Sequence, residues 1–244
     1  MAAAYATLAV ILGVTGYVLR PWGYLLVWPA AAFATIAAAY LWFGPHVFRK
    51  RDGRLHPFSR FGLFPYELGS ILTFPHYRRT APPWVDVTPS LVLGRRLTEA
   101  EARAQIDRGV RAVLDLTAEC TAPPAFRSLA YRNVPILDLT VPTPQQFAEG
   151  VEFIRVHAKD GAKVYLHWKL GRSRSAAVAA AYLIAEGLAA NGKDAVDMVR
   201  RARPEIVINP AAVAALDRFK HEILSTKHET NSKHEEENFK RDTV

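Results

Sequence analysis

The chain has a single cysteine, Cys120, which excludes an intramolecular disulfide framework and any cysteine-based zinc cluster. Its first 44 residues carry one charged side chain, Arg20, so that stretch cannot be an ordinary solvated surface. Histidines are few and scattered: His46, His56 and His76 lie among basic residues without a ligand spacing, so no metal site is expected and no cofactor is implied. No repeat is visible. What remains is a chain of 244 residues that is 50% hydrophobic and 22% charged, a composition that excludes disorder and collagen.

The average hides two solvents. Ala2–Leu19 and Pro21–Gly44 are uncharged runs of 18 and 24 residues, and a helix needs about 20 apolar residues to cross a bilayer. Arg20-Pro21-Trp22-Gly23 makes a polar break between them, and Trp22, Trp28, Tyr40 and Trp42 suit the membrane interfaces. This pattern predicts a transmembrane helical hairpin over residues 1–44, a multi-pass membrane protein with two spans. The Arg49-Lys50-Arg51 cluster at its exit places the N-terminus and the downstream chain in the cytoplasm. A cleaved signal peptide fits less well, because no basic segment precedes the first run and a second full-length run follows it.

Seven basic residues against Asp52 and Glu67 between Pro45 and Thr80 supply +5 of the net charge of +8. Interleaved with Phe48, Phe58, Phe61, Phe64, Phe74 and Tyr77, they suit a nucleic-acid strand or an anionic membrane surface. Their position directly after the apolar run favours lipid head groups and makes nucleic acid the lesser alternative. Scattered glycines and prolines over residues 45–83 suggest a basic juxtamembrane linker without regular elements.

From Trp84 the pattern becomes that of a globular domain. Val85, Val87, Leu91 and Leu93 predict a hairpin turning at Pro89-Ser90. Thr98-Glu99-Ala100-Glu101 is a capping box opening a helix that stops near Gly109. Ala112–Leu116, Val134–Leu137 and Val164–Leu166 read as buried strands, separated by a helix that starts at Thr143-Pro144-Gln145-Gln146. Helices follow over 175–188, 193–201 and from Asn209-Pro210 to about Leu224. Alternating strands and helices imply an α/β domain over 84–224 with a mostly parallel central sheet flanked by helices. Residues 225–244 are polar and read as a disordered tail.

The segment Val164–Ala177 ends a strand in a short loop and opens a long helix, where backbone N–H groups and the helix dipole favour an oxyanion. Gly171 lets the backbone curl, and Arg174 presents a planar guanidinium suited to two phosphate oxygens. The loop has neither the Gly-Lys-Ser/Thr ending of a Walker loop nor the three spaced glycines of a Rossmann turn.

This stretch resembles the signature loop of the cysteine-dependent protein-tyrosine phosphatases, particularly the dual-specificity branch, whose motif runs His-Cys, five residues, then Arg-Ser. His167, Gly171, Arg174 and Ser175 match it, while Trp168 stands where the nucleophilic cysteine belongs. The likeness extends from about Trp84 to Leu224, including Asp115–Glu119, Arg203-Pro204 and Asn209. Leu137–Thr143 is similar to the acid loop of the lipid-directed mitochondrial and bacterial members. The resemblance implies a phosphate cradle of Lys169, Leu170, Gly171, Arg172, Ser173 and Arg174, with Lys169 and Arg172 at its rim, and no cofactor. It implies that Asp138 is the general acid and that His167 and Ser175 tune the nucleophile. Asp115 and Glu119 are expected to support the loop, since a carboxylate beside phosphate would repel it.

Trp168 has no ionisable atom, and its ring buries on the order of 200 Å² where the motif holds one thiol and one phosphate. Cys120 lies at the end of a different strand, without an arginine at the required offset. The expectation is therefore a membrane-anchored pseudophosphatase whose partners are membrane lipid and a phosphoprotein or phospholipid head group. The alternative is an active dual-specificity phosphatase lineage represented by a cysteine-to-tryptophan change at 168. Single-base neighbourhood of the two codons and the otherwise intact motif favour a recent replacement, an engineered change or a sequence error over long drift into a new role.

Overall fold

The computed structural model describes residues 1–80, 82–169 and 173–225. Leu170, Gly171, Arg172 and the tail from residue 226 onward lie outside the described residues.

Helix α1 spans Ala2–Val18 and turns through Trp22–Leu26 into α2, Val27–Ala38, which continues through a π turn, Ala39–Phe43, and a tight turn, Gly44–Phe48. The two helices run antiparallel, with Tyr5 stacked on Phe33. A Cβ on Gly23 would stand 1.9 Å from the Gly16 carbonyl oxygen, so this crossing requires glycine. Trp22–Phe48, 27 residues, is long and apolar enough to cross a membrane, its most apolar 18-residue window having a mean hydropathy of 1.7. At 17 residues, α1 is shorter; it rises about 26 Å, against about 30 Å of hydrocarbon.

The expectation of no regular elements between 45 and 83 is corrected: α3 spans Pro57–Gly62 and α4 spans Phe64–Thr80. Two of the prolines read as loop signals sit in first helical turns, where their missing N–H is harmless. Pro57 follows His56, whose ring accepts from the Phe58 amide, and Pro65 is the second residue of α4.

The globular part is a five-stranded sheet of order β1-β2-β5-β3-β4. Strand β1 (Trp84–Thr88) pairs antiparallel with β2 (Leu91–Arg95), and the remaining pairs are parallel. Strands β3, β4 and β5 are Val110–Thr117, Ala130–Ile136 and Lys163–Trp168. Between them run α5 (Glu99–Asp107), α6 (Pro124–Arg127) and α7 (Pro144–His157), followed by α8 (Arg174–Ala185), α9 (Gly192–Ala202) and α10 (210–225). Both capping boxes are formed, Thr98 with Glu101 and Thr143 with Gln146.

Strand alternation builds two cores. Leu91, Leu93, Leu114, Val164 and Leu166 face α7, α8, α9 and α10, while Val92, Val113 and Tyr165 face α5 and α6. Strand β4 begins earlier than its apolar residues indicate, because the edge position leaves Ala130 exposed and Tyr131 and Asn133 partly so. The parallel strands β3, β4 and β5 all end on one side of the sheet, which is where ligands bind in open α/β folds.

Candidate functional site

Strand β5 ends at Trp168, and α8 begins at Arg174, with Ser173 at its N-cap. Trp168 is buried, 3% exposed, and belongs to the main core. The Arg174 guanidinium carbon lies 4.0 Å from the centre of the Trp168 ring, a cation–π geometry worth about 2 kcal/mol when desolvated. Arg174 is itself 1% exposed. Its Nη2 lies 3.3 Å from Glu119 Oε1 and 3.5 Å from Asp138 Oδ1, and its Nη1 donates to the Ile136 carbonyl.

The three carbonyl and carboxylate partners come from the ends of β3 and β4, and the indole from the end of β5. The terminal nitrogens are thus turned inward onto partners of this chain. Arg174 Nε, Trp168 Nε1 and Ser175 Oγ are buried without a hydrogen-bond partner among the described residues. Burial raises the Asp138 carboxyl above its ordinary value, and Arg174 only partly opposes this.

His167, one position before Trp168, points to the other side of the sheet. Its Nε2 lies 3.6 Å from Asp115 Oδ2, and burial holds its pKa below the ordinary value against the pull of that carboxylate. Asp115 is fully buried; Lys50 Nζ stands 2.6 Å from its Oδ2 and also donates to the Thr117 carbonyl (3.0 Å) and hydroxyl (2.7 Å). Tyr131 and the Thr117 amide donate to Asp115 as well. Burial would lift this carboxyl, but Lys50 and His167 hold it well below the carboxylate range.

Of the residues expected from the sequence, the structure gathers Trp168, Arg174 and Asp138, with Ser175 in the first turn of α8 and His167 beneath. Lys169 and Ser173 flank the loop and are partly buried, and the Lys169 carbonyl accepts from the Arg96 amide. Leu170, Gly171 and Arg172, also expected in the cradle, lie outside the described residues. Asp115, on β3, lies beside His167, while Glu119, expected only to support the loop, stands 3.3 Å from Arg174 Nη2. Cys120 is buried, and burial with Glu119 nearby pushes its thiol up to about 11.

Sequence reasoning missed two contributions. Lys50 lies in the basic run that suits lipid head groups, yet its side chain is only 2% exposed; no local signal marks it, because its acceptors are 65 and 67 residues away. The second is the apolar N-terminal part. Ile36, Ala39, Phe48, Leu55 and Leu63 pack with Ala118 and Leu137, at the ends of β3 and β4, and Tyr5, Tyr40 and Tyr66 close the cluster. Beside it, a cavity of about 560 Å³ is lined by Arg60, Arg96 and Arg127 and by Glu67, Glu99 and Glu119. Burial raises Glu67 to about 7. Among the described residues no group of three or more His, Cys, Asp or Glu is placed to hold a metal.

The sequence matches the dual specificity phosphatase catalytic domain over residues 93–222. It is 31% identical over 132 residues to phosphatidylglycerophosphatase and protein-tyrosine phosphatase 1 of Rattus norvegicus, covering 50% of this chain and 68% of that one. It is 30% identical over 152 residues to dual specificity protein phosphatase 2 of Homo sapiens, covering 62% of this chain and 47% of the relative. The crystal structure of PTPMT1 in complex with PI(5)P superposes with a TM-score of 0.55 at 26% identity, over 60% of this chain and 99% of that chain. The family match begins at residue 93, so Lys50 and α1–α4 lie outside it.

Proposed function

This chain belongs to the dual specificity phosphatase family, and on that premise we propose that it is a membrane-anchored pseudophosphatase. Trp168 stands at the nucleophile position, and an indole cannot form the covalent phosphoryl intermediate that a thiolate forms. The observation that carries this reading is the Arg174 guanidinium, held on the Trp168 ring and by Glu119, Asp138 and the Ile136 carbonyl. A group meant to stabilise phosphoryl oxygens is engaged internally, and the ring fills the floor of the cradle.

A second reading, an active phosphatase lineage carrying one inactivating change, is favoured by the assembly of the other parts. Asp138 and Arg174 are 3.5 Å apart, His167 and Ser175 are buried close by in sequence, and the Asp138 carboxyl is raised, as a general acid requires. In that lineage Asp138 protonates the leaving alkoxide, and Arg174 with the loop amides carries charge on the equatorial oxygens.

The anchor is α1 with Trp22–Phe48, a two-span hairpin whose N-terminus and phosphatase-like domain lie on the cytoplasmic side, the side of the exposed Arg49, Arg51 and Arg54. Residues 84–224 are the phosphatase-like unit, and 45–83 join it to the anchor. The ligand class is a phosphorylated head group at the membrane surface, a phospholipid before a phosphoprotein. The name of the rat relative and the PI(5)P bound to PTPMT1 support the lipid, and confinement to a membrane raises the effective concentration of such a ligand.

The test is phosphate release from an aryl phosphate and from phosphatidylglycerophosphate by the full chain in nanodiscs. Release no faster than from an Arg174→Ala control supports the pseudophosphatase; Arg174-dependent release by the unaltered chain overturns it.

A further inference from the structure

The cavity of about 560 Å³ has walls of two origins. Arg96 and Glu99 follow β2, and Glu119 and Arg127 follow β3, at the carboxyl ends of two strands parallel to β5, where open α/β sheets take ligands. The facing wall comes from the α3–α4 segment and includes Arg60 and Glu67. That wall precedes residue 93, so the family's catalytic domain does not supply it.

Three arginines and three glutamates line this space, but the two signs do not cancel. Glu119 is engaged elsewhere: its Oε1 holds Arg174 Nη2 at 3.3 Å, and its Oε2 accepts from the Ala118 amide at 3.1 Å. Glu99 holds Arg103 at 3.1 Å and accepts from the Ala125 amide at 3.2 Å. Burial raises Glu67 to about 7 against the opposing pull of Arg60 and Arg96, so near neutral pH it carries only about half a charge. Its Oε1 is buried without a hydrogen-bond partner. Arg60 and Arg127 form no side-chain hydrogen bond or ion pair among the described residues. The cavity therefore keeps a positive excess, together with an acceptor that lacks its donor.

We propose that this cavity binds a polyol bearing two phosphate groups, one held by Arg60 and Arg96 and the other by Arg127, with a ligand hydroxyl donating to Glu67 Oε1. A planar guanidinium takes two phosphate oxygens at once, and the volume lies within the range of about 300–1,000 Å³ found for small organic ligands. Arg60 and Arg96 are the cations that act on Glu67, whereas Arg127 comes from another element, α6. A single inorganic phosphate engages one of these groups and leaves the other unpaired, so it binds weakly. The site is distinct from the cradle that Trp168 fills, although the two share Glu119, and the Arg96 amide donates to the Lys169 carbonyl at 3.4 Å. It stands whether or not the cradle turns over a substrate.

The experiment is calorimetric titration of the full chain, in phosphatidylcholine nanodiscs, with myo-inositol 1,4-bisphosphate. The unaltered chain is expected to bind it, and Arg60→Gln and Arg127→Gln are each expected to weaken binding by about tenfold or more. Arg132→Gln, at an exposed residue paired with Glu149 outside the cavity, should leave binding unchanged. Glu67→Gln supplies a gain that misfolding cannot mimic. At about pH 8 the carboxylate repels the ligand and an amide does not, so binding tightens; at about pH 6 the carboxyl is already protonated and the gain disappears. Inorganic phosphate at the same concentration should give no heat of binding. The proposal is overturned by no binding of the bisphosphate, by binding that Arg60→Gln and Arg127→Gln leave unchanged, by no gain from Glu67→Gln, or by an equal response to inorganic phosphate. Replacing part of the phosphatidylcholine by phosphatidylinositol 4-phosphate identifies the source: competition with the soluble probe assigns the site to a lipid head group, and unchanged affinity assigns it to a soluble polyol phosphate.

Discussion

Lys50 Nζ lies 2.6 Å from Asp115 Oδ2, and both side chains are shielded from solvent. The pair joins a residue just after the apolar anchor to the strand that ends at the candidate site, and the ammonium uses its three donors on Asp115 and Thr117. Removing one member of a buried pair leaves an uncompensated charge, which costs about 3–5 kcal/mol. Lys50→Met is expected to destabilise the globular part by that amount in chemical denaturation of the full chain in micelles. Arg51→Met, at an exposed neighbour, should stay within about 0.5 kcal/mol. Equal effects of the two substitutions would show that Lys50 is a surface charge like the rest.

The same pair sets an acid limit. The Asp115 carboxyl is depressed in the folded chain relative to its ordinary value of 3.8. Its stabilising contribution is therefore fully present above that value and is lost as pH falls through it toward the folded one. In Lys50→Met, burial acts on Asp115 with only His167 and the Tyr131 and Thr117 donors opposing it, so the acid loss should shrink. Stability curves of the two proteins between about pH 2 and pH 6 check the sign: parallel acid limbs would exclude Asp115 as their source.

Trp168→Ala removes a buried ring and should destabilise the domain by about 3–5 kcal/mol. It also removes the surface on which Arg174 rests. Inorganic phosphate or vanadate should then raise the melting temperature of the variant and leave the unaltered chain unchanged. The gain should vanish in Trp168→Ala/Arg174→Ala. A phosphate response in the unaltered chain would mean that the ring does not close the cradle.

Asp138 is tested in a Trp168→Cys background. Its raised carboxyl, held up by burial against Arg174, must be protonated to donate to a leaving group. Turnover should fall as pH rises past that carboxyl. Asp138→Asn should lower kcat by about 10²–10⁴-fold on an unactivated phosphate ester and flatten this limb. An unchanged pH profile would assign the acid role elsewhere.

Most of the globular fold was legible because its longer elements carry a local signal; the short α6 and the early start of β4 carry none. The capping boxes at Thr98 and Thr143 and the apolar runs of β3 and β5 lie where the pattern placed them. The juxtamembrane helices were not legible, because Pro57 and Pro65 look alike in a loop and in a first helical turn; only packing on α2 and β3 decides between them. In the site, Trp168 and Arg174 follow from the spacing of the signature motif, and Asp138 from the resemblance of Leu137–Thr143 to an acid loop. The inward engagement of Arg174 by Glu119 and Ile136 could not, since those contacts span 55 and 38 residues. Lys50 was misread for the same reason: a buried cation and a head-group cation look identical in a basic run.

The most direct test is a side-by-side phosphate-release assay of the unaltered chain and Trp168→Cys, both full length in nanodiscs and both with an Arg174→Ala partner. The account predicts silence from the unaltered chain and Arg174-dependent turnover from Trp168→Cys. Arg174-dependent turnover by the unaltered chain, or none by a folded, phosphate-binding Trp168→Cys, would contradict it.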